Sequence, residues 1–332
     1  MKPYLQNLQL LFQSKQYDLT ISECEKVLAI NENCIETKKL IAKSLIQTQK
    51  WNDSIPYLEE IISTDKKDYS TIKDLGLVNY LVGNKKKAIN FFELSLSINQ
   101  NFSPSLYLLS RLMLESGNIK KGEQLLLKLT TDNHDIINAF IDLSAVYKNT
   151  KRIKQAEEIL RKGVEKYPNS YEINIRLGAL LHALANHKES INFIQKSIDI
   201  NPNSFESFFK LANVLISQKK TPEAEKALRK VISIKPDFPQ AYLLLGIIMY
   251  HKKNITTALD LFNKAIKINP SFAEAYNNLG SIQKEQGDYF DAEHSIRKAI
   301  DINPDICEPY NNLGSVLHKQ GRLKEAEKII KK

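Results

Sequence analysis

The chain has 332 residues, 42% of them hydrophobic and 26% charged, with only 11 glycines and 11 prolines. That balance belongs to a folded chain and excludes one dominated by irregular linkers. The formal net charge is +9, yet only seven of the 47 basic residues are arginines, the residue that nucleic-acid readers use for forked contacts, so a nucleic-acid partner is not expected.

From the first residue the chain repeats with a period of 34 residues. In this register Met1 opens the first repeat, nine full repeats end at Ile306, and a tenth starts at Cys307 and runs for 26 residues. Each unit predicts two amphipathic helices of about three turns, because apolar residues recur at positions 4, 7 and 11 and again at 20, 24, 27 and 28. Residues 1–136 form four divergent repeats, with Glu32, Lys66, Gln100 and His134 at position 32 and Val27, Ile61, Ser95 and Leu129 at position 27. Residues 137–306 form five regular ones, in which Pro168, Pro202, Pro236, Pro270 and Pro304 occupy position 32. Proline lacks an N–H and clashes with the preceding turn, so it marks the end of each second helix. Residues 307–332 are the truncated tenth repeat, whose Pro309–Ser315 segment (PYNNLGS) echoes Ala275–Ser281 (AYNNLGS). All ten read as one continuous solenoid.

Position 8 is Ala, Ser or Gly in every repeat except the first, which has Leu8, and position 20 is small throughout, from Thr20 to Ala326. Position 24 is always apolar, among them Phe92, Ile194, Phe262 and Ile296. Small residues at 8 and 20 let two helix backbones approach, and the bulky residue at 24 fills the adjoining gap. The turn falls near position 15, where Gly83, Gly117, Gly287 and Gly321 sit. One helix pair cannot bury its apolar face alone, so neighbours must stack and share a core.

This pattern resembles the tetratricopeptide-repeat family over essentially the whole chain. The resemblance implies an all-α, right-handed superhelical solenoid that binds a protein or peptide in its concave face. It also implies that positions 2, 5, 6, 9, 12 and 13 of each first helix line that face. Position 5 carries five consecutive apolar residues, Tyr107, Ile141, Ile175, Phe209 and Leu243, and Ile216, Ile247 and Tyr250 extend them at positions 9 and 12. A strip of this kind is expected to be solvent-exposed if it binds a partner, and buried if position 5 serves packing between repeats. At position 6, Asn278 and Asn312 resemble the asparagine ladder of the O-GlcNAc transferase repeats, in which an amide grips a peptide backbone by donating and accepting at once. An array that presents substrate to a following glycosyl- or sulfotransferase domain is therefore the alternative reading.

No catalytic constellation is expected, because the chain contains no P-loop, dinucleotide fingerprint or nucleophile elbow. His182 and His187 are five apart, the wrong spacing for two ligands on one helical face, and Cys24, Cys34 and Cys307 suggest neither a disulfide framework nor a zinc site. No cofactor or metal is expected. The opening segment MKPYLQNLQLLFQSK has no signal-peptide features, and no apolar run is long enough for a membrane helix, so a cytoplasmic location is expected. The chain ends at Lys332 without the polar capping helix usual in solenoids, and the segment after Gly321 is expected to exchange its amides faster than repeats five to eight. Finally, positions 14–19 hold 17 Lys or Arg against seven acids. Lys85, Lys86, Lys87, Lys120, Lys121, Lys151, Arg152 and Lys154 form the densest part of this basic edge, a candidate contact for an acidic partner.

Overall fold

The computed structural model describes residues 2–131 and 135–330; Met1 and His134 lie outside them. The described residues form twenty α-helices and no strand. They divide into two compact units, residues 1–163 and 164–332.

The first unit contains α1 (Lys2–Gln13) and α2 (Tyr17–Ile30), α3 (Ile35–Gln47) and α4 (Trp51–Thr64), α5 (Tyr69–Leu81) and α6 (Lys85–Ile98), α7 (Ser103–Glu115) and α8 (Ile119–Thr131), and α9 (Ile137–Asn149). The boundary falls inside α10 (Ile153–Lys166). The second unit contains α11 (Tyr171–Ala183) and α12 (His187–Ile200), α13 (Phe205–Ser217) and α14 (Thr221–Ile234), α15 (Pro239–His251) and α16 (Ile255–Ile268), α17 (Ala273–Gln286) and α18 (Tyr289–Ile302), and α19 (Cys307–Lys319) and α20 (Leu323–Ile330). Each pair fills one period of the sequence register, and the chain is an α-solenoid. Its core is a succession of small apolar clusters, such as Ala42, Leu58, Leu75 and Val78, each shared by one pair and the next.

The helices of a pair meet where a small residue faces a large one. A Cβ added to Gly246 would lie 2.5 Å from Cε1 of Phe262, and one added to Gly76 would lie 2.8 Å from the ring of Phe92. At Gly178 and Gly280 the obstacle includes backbone, with the carbonyls of Ser190 and Ala292 each 3.1 Å away. Where position 24 is Phe or the β-branched Ile, position 8 is Gly, and where it is Leu, position 8 is Ala or Ser. Ala42 faces Leu58 in one core cluster, and in the first repeat the sizes invert, with fully buried Leu8 set against Cys24. The exception at Leu8 is therefore a size exchange within one contact. Burial pushes the Cys24 thiol up to about 12, so it behaves as a small apolar group.

All ten residues at position 15 have positive φ. Four are the glycines, and the other six are Lys15, Gln49, Lys151, Ala185, Lys219 and Lys253, with φ of 59–62°. The left-handed residue reverses the chain so that the N–H of position 16 reaches back to the carbonyl of position 11, as Asn186 does to Leu181 at 2.9 Å. This bond satisfies a helix-end carbonyl that would otherwise lack a partner. The glycine signal in four repeats thus marks a conformation that all ten adopt.

The divergent repeats keep their packing by local compensation. Ser95, at position 27, is fully buried, but its hydroxyl lies 2.8 Å from that of Ser105 in the next repeat and donates to the carbonyl of Tyr69.

Two stability outcomes follow from these contacts. Gly246→Ala should cost about 1–3 kcal/mol through overpacking, and adding Phe262→Leu should recover most of it by recreating the Ala42–Leu58 pairing. Thermal or urea unfolding of both single variants and the double variant measures this coupling; additive losses would rule out the size exchange. Ala185→Gly should stabilise by roughly 0.5–1 kcal/mol in the same unfolding experiment, because the left-handed strain it relieves exceeds the entropy it adds to the unfolded chain.

Candidate interaction surfaces

Within each unit, successive odd-numbered helices approach one another closely, as α5 and α7 do in the first unit and α15 and α17 in the second. Hydrogen bonds cross between them. Tyr80 donates to Glu115 at 2.6 Å and Tyr250 to Glu285 at 2.5 Å, from position 12 to position 13 of the next repeat. The first helices therefore form the tighter, inner side of each unit.

The structure does not present position 5 as one open strip. Ile141 and Ile175 are buried, at 8% and 6% exposure, and Tyr107, Phe209 and Leu243 are half-buried. The reason is geometric: position 5 faces position 6 of the following repeat. Tyr107 donates to Asp142 Oδ2 at 2.8 Å and Asn312 Nδ2 to Asn277 Oδ1 at 3.0 Å, each joining those two positions. Burial, followed by the hydrogen bond to Asp142 and its charge, raises the Tyr107 phenol to about 12. Phe209 stands edge-on to Phe238, with ring centroids 4.9 Å apart, and Phe238 meets Phe205 at 5.4 Å. Lys235 Nζ lies 4.5 Å above the Phe205 ring.

An apolar surface does remain in the second unit, centred on α15. That helix reads PQAYLLLGIIMYH, apolar on nearly every side. Its Leu243, Leu244, Ile247 and Tyr250 are half-exposed, beside half-exposed Phe209 and Ile216 of α13. Leu244, at position 6, was not among the expected site residues. The signal for it was the absence of any polar stripe along α15.

The asparagines at position 6 are not equivalent. Asn278 donates to the carbonyl of Glu274 in its own helix at 2.7 Å, whereas Asn312 bonds sideways to Asn277 and accepts from Lys284 Nζ at 3.0 Å.

The basic edge is partly neutralised from within. Arg152 holds Glu123 with two hydrogen bonds of 2.7 and 2.6 Å, Lys121 pairs with Glu93 at 2.6 Å, and Lys85 approaches Glu115 at 3.6 Å. Lys86, Lys87, Lys120, Lys151 and Lys154 are exposed. In the second unit Glu225 and Glu293 similarly draw in Lys252 and Arg322 of the next repeat.

His182 and His187 belong to different helices of one pair, and the left-handed turn at Ala185 brings their Nδ1 atoms to 3.2 Å. The same positions in the first repeat hold Phe12 and Tyr17, edge to face at 5.4 Å. No group of three or more potential metal ligands occurs among the described residues, and no described helix is long and apolar enough to cross a membrane.

Two family models match the chain: the "Tetratricopeptide repeat protein 21 C-terminal ARM domain" over residues 179–306 and a tetratricopeptide repeat over residues 296–328. Paired helices in an unbroken 34-residue register carry the same pattern through the rest. The chain thus carries tetratricopeptide repeats, which the two models match over residues 179–328. Arrays of this family are scaffolds for protein interaction and typically non-catalytic. Similar solved structures include "Crystal structure of MamA" (24% identity, TM-score 0.43, covering 47% of this chain and 91% of that one). "Crystal structure of MamA protein" has 24% identity and a TM-score of 0.44, covering 48% and 88%. "MamA RS-1 ArsTM double mutant" has 20% identity and a TM-score of 0.46, covering 51% and 94%. No curated protein matches the chain in sequence.

The histidine pair should make stability pH-dependent. Burial first, then His187 and Lys210, holds the His182 imidazole below its usual range. Its contribution is complete above the unfolded value of about 6.5 and is lost as pH falls through the lower folded value. The combined His182→Phe and His187→Tyr variant copies the first-repeat pair and should flatten this dependence. Melting temperatures measured from about pH 7.5 down to about pH 5 test it; parallel curves for the two proteins would remove the pair from the account.

Proposed function

We propose that this tetratricopeptide-repeat array binds a polypeptide segment in the concave side of its second unit, with apolar side chains of the partner seated over α13 and α15. One observation carries the reading. A helix apolar on nearly every side is normally buried all round, yet α15 leaves Leu243, Leu244, Ile247 and Tyr250 half-exposed on the inner side. Exposed Arg176 and Lys210 stand on the preceding helices, and exposed Glu274 and Glu285 on the following one. A partner segment with an apolar centre, an acid toward α11 and α13 and a base toward α17 fits that order of charges.

Phe209 is a poor probe of this surface because its ring also packs on Phe238. The better variants are Leu244→Lys and Ile247→Lys. Peptides selected on the full chain from a random library should carry apolar anchors and should bind either variant at least about tenfold more weakly, a loss of about 1.4 kcal/mol. The melting temperatures should stay near that of the parent. Undiminished binding by both variants would move the site elsewhere.

A further inference from the structure

We propose that the turn edge of repeats three to five, in the first unit, is a docking surface for a carboxylate-rich polypeptide segment. This surface is separate from the apolar inner side of the second unit and stands or falls independently of it.

The first observation is the concentration of charge. Positions 14–19 of these three repeats hold eight basic residues and no acid. Ion pairs place them on one edge, since Lys121 reaches Glu93 of the preceding repeat, Arg152 reaches Glu123, and Lys85 approaches Glu115. Those three cations are already engaged. Lys86, Lys87, Lys120, Lys151 and Lys154 are exposed and have no ion pair among the described residues.

The second observation is that the lysines stand where they cost stability. A helix N-terminus carries partial positive charge and favours an acid in its first turn. Asp18, Asp53, Glu189, Glu223, Asp291 and Glu325 meet that preference in α2, α4, α12, α14, α18 and α20. In α6, α8 and α10 the first turn has no acid and instead carries Lys85, Lys86 and Lys87, Lys120 and Lys121, and Lys154. α16 also lacks a first-turn acid but carries no lysine there, so lysines without an acid are found in the second helices of three successive repeats along one edge. Placements that oppose local stability are expected where a surface serves binding. Negative charge on a partner reverses the penalty, because it meets the lysines and the helix ends together.

The chemistry favours carboxylates over nucleic acid. The one arginine of the edge is committed to Glu123 through both of its terminal nitrogens, so no free fork remains for phosphate or base edges. No aromatic residue lies in these three turns to stack a base. Lysines act as point charges that suit dispersed carboxylates.

The test uses the full chain and a fluorescein-labelled peptide of alternating Glu and Ser, with a single-stranded RNA of equal length as the competing probe. One variant reverses the four free lysines that stand in helix first turns (Lys86→Glu, Lys87→Glu, Lys120→Glu and Lys154→Glu) and leaves Lys151 in place. A control reverses four exposed lysines elsewhere in the first unit (Lys43→Glu, Lys66→Glu, Lys67→Glu and Lys162→Glu), with the same change in net charge. Anisotropy should show peptide binding that weakens as salt rises, since exposed charges are screened beyond about 8 Å at physiological ionic strength. The edge variant should lose at least about tenfold in affinity and the control no more than about twofold. Because the edge reversal puts acids into three helix N-termini, its melting temperature should match or exceed the parent's while binding falls. A general unfolding would lower both, and that outcome overturns the proposal. It is also overturned if both variants lose affinity equally, if the parent does not bind the peptide, or if the RNA binds more tightly than the peptide.

Discussion

Everything in this array depends on how closely the two helices of a pair can approach. That distance is set by one contact, between position 8 of the first helix and position 24 of the second, with the backbone of position 20 beside it. Gly246 under Phe262, Ala42 beside Leu58 and Leu8 against Cys24 are three ways of filling the same space. Interiors are packed like crystals, so volume gained on one side must be given up on the other. The trade is local to each pair, which lets individual repeats drift in sequence without losing the architecture. Ser95 illustrates this tolerance, since its buried hydroxyl finds Ser105 in the next repeat.

The second constraint is the turn. A left-handed residue at position 15 lets position 16 bond back to position 11 in all ten repeats, and this closes the first helix and aims the second. Six repeats adopt that conformation without glycine, although it costs an L-residue roughly 1–2 kcal/mol. The geometry of the pair requires the reversal, and the packing on either side supplies the compensation. The same turn joins His182 to His187 and Phe12 to Tyr17. Spacing along one helix misleads there, because the two residues sit on different helices.

The fold was legible in the sequence because its packing rules recur in one register through ten repeats. A glycine at position 15 says little in one repeat, whereas small, large and proline positions recurring every 34 residues leave one architecture. The surfaces were less legible. Apolar residues at position 5 look the same whether a partner or a neighbouring repeat covers them, and the structure shows that Ile141 and Ile175 are covered. Leu244 carries no site signal of its own, because position 6 is polar in most repeats. The acids that neutralise Arg152 and Lys121 lie 29 and 28 residues away, outside any local window of charge. Only the stacking of repeats brings them together.

These constraints also decide where partner contacts can arise. Positions 5 and 6 are joined across repeats by Tyr107 to Asp142 and by Asn277 to Asn312, so a residue there cannot change freely without disturbing the stacking. Position 9 and the unpaired lysines of the turn edge carry less of that burden, whereas position 12 shares it through Tyr80 with Glu115 and Tyr250 with Glu285. Within α15, Ile247 remains half-exposed at position 9. At the turns of repeats three to five, lysines occupy first-turn sites that stability alone would give to acids. The edge pairs that do form, such as Arg152 with Glu123, are spent within the array and join one repeat to the next. The repeat core thus leaves two kinds of site open to variation, and this chain fills one with apolar side chains and the other with unpaired cations.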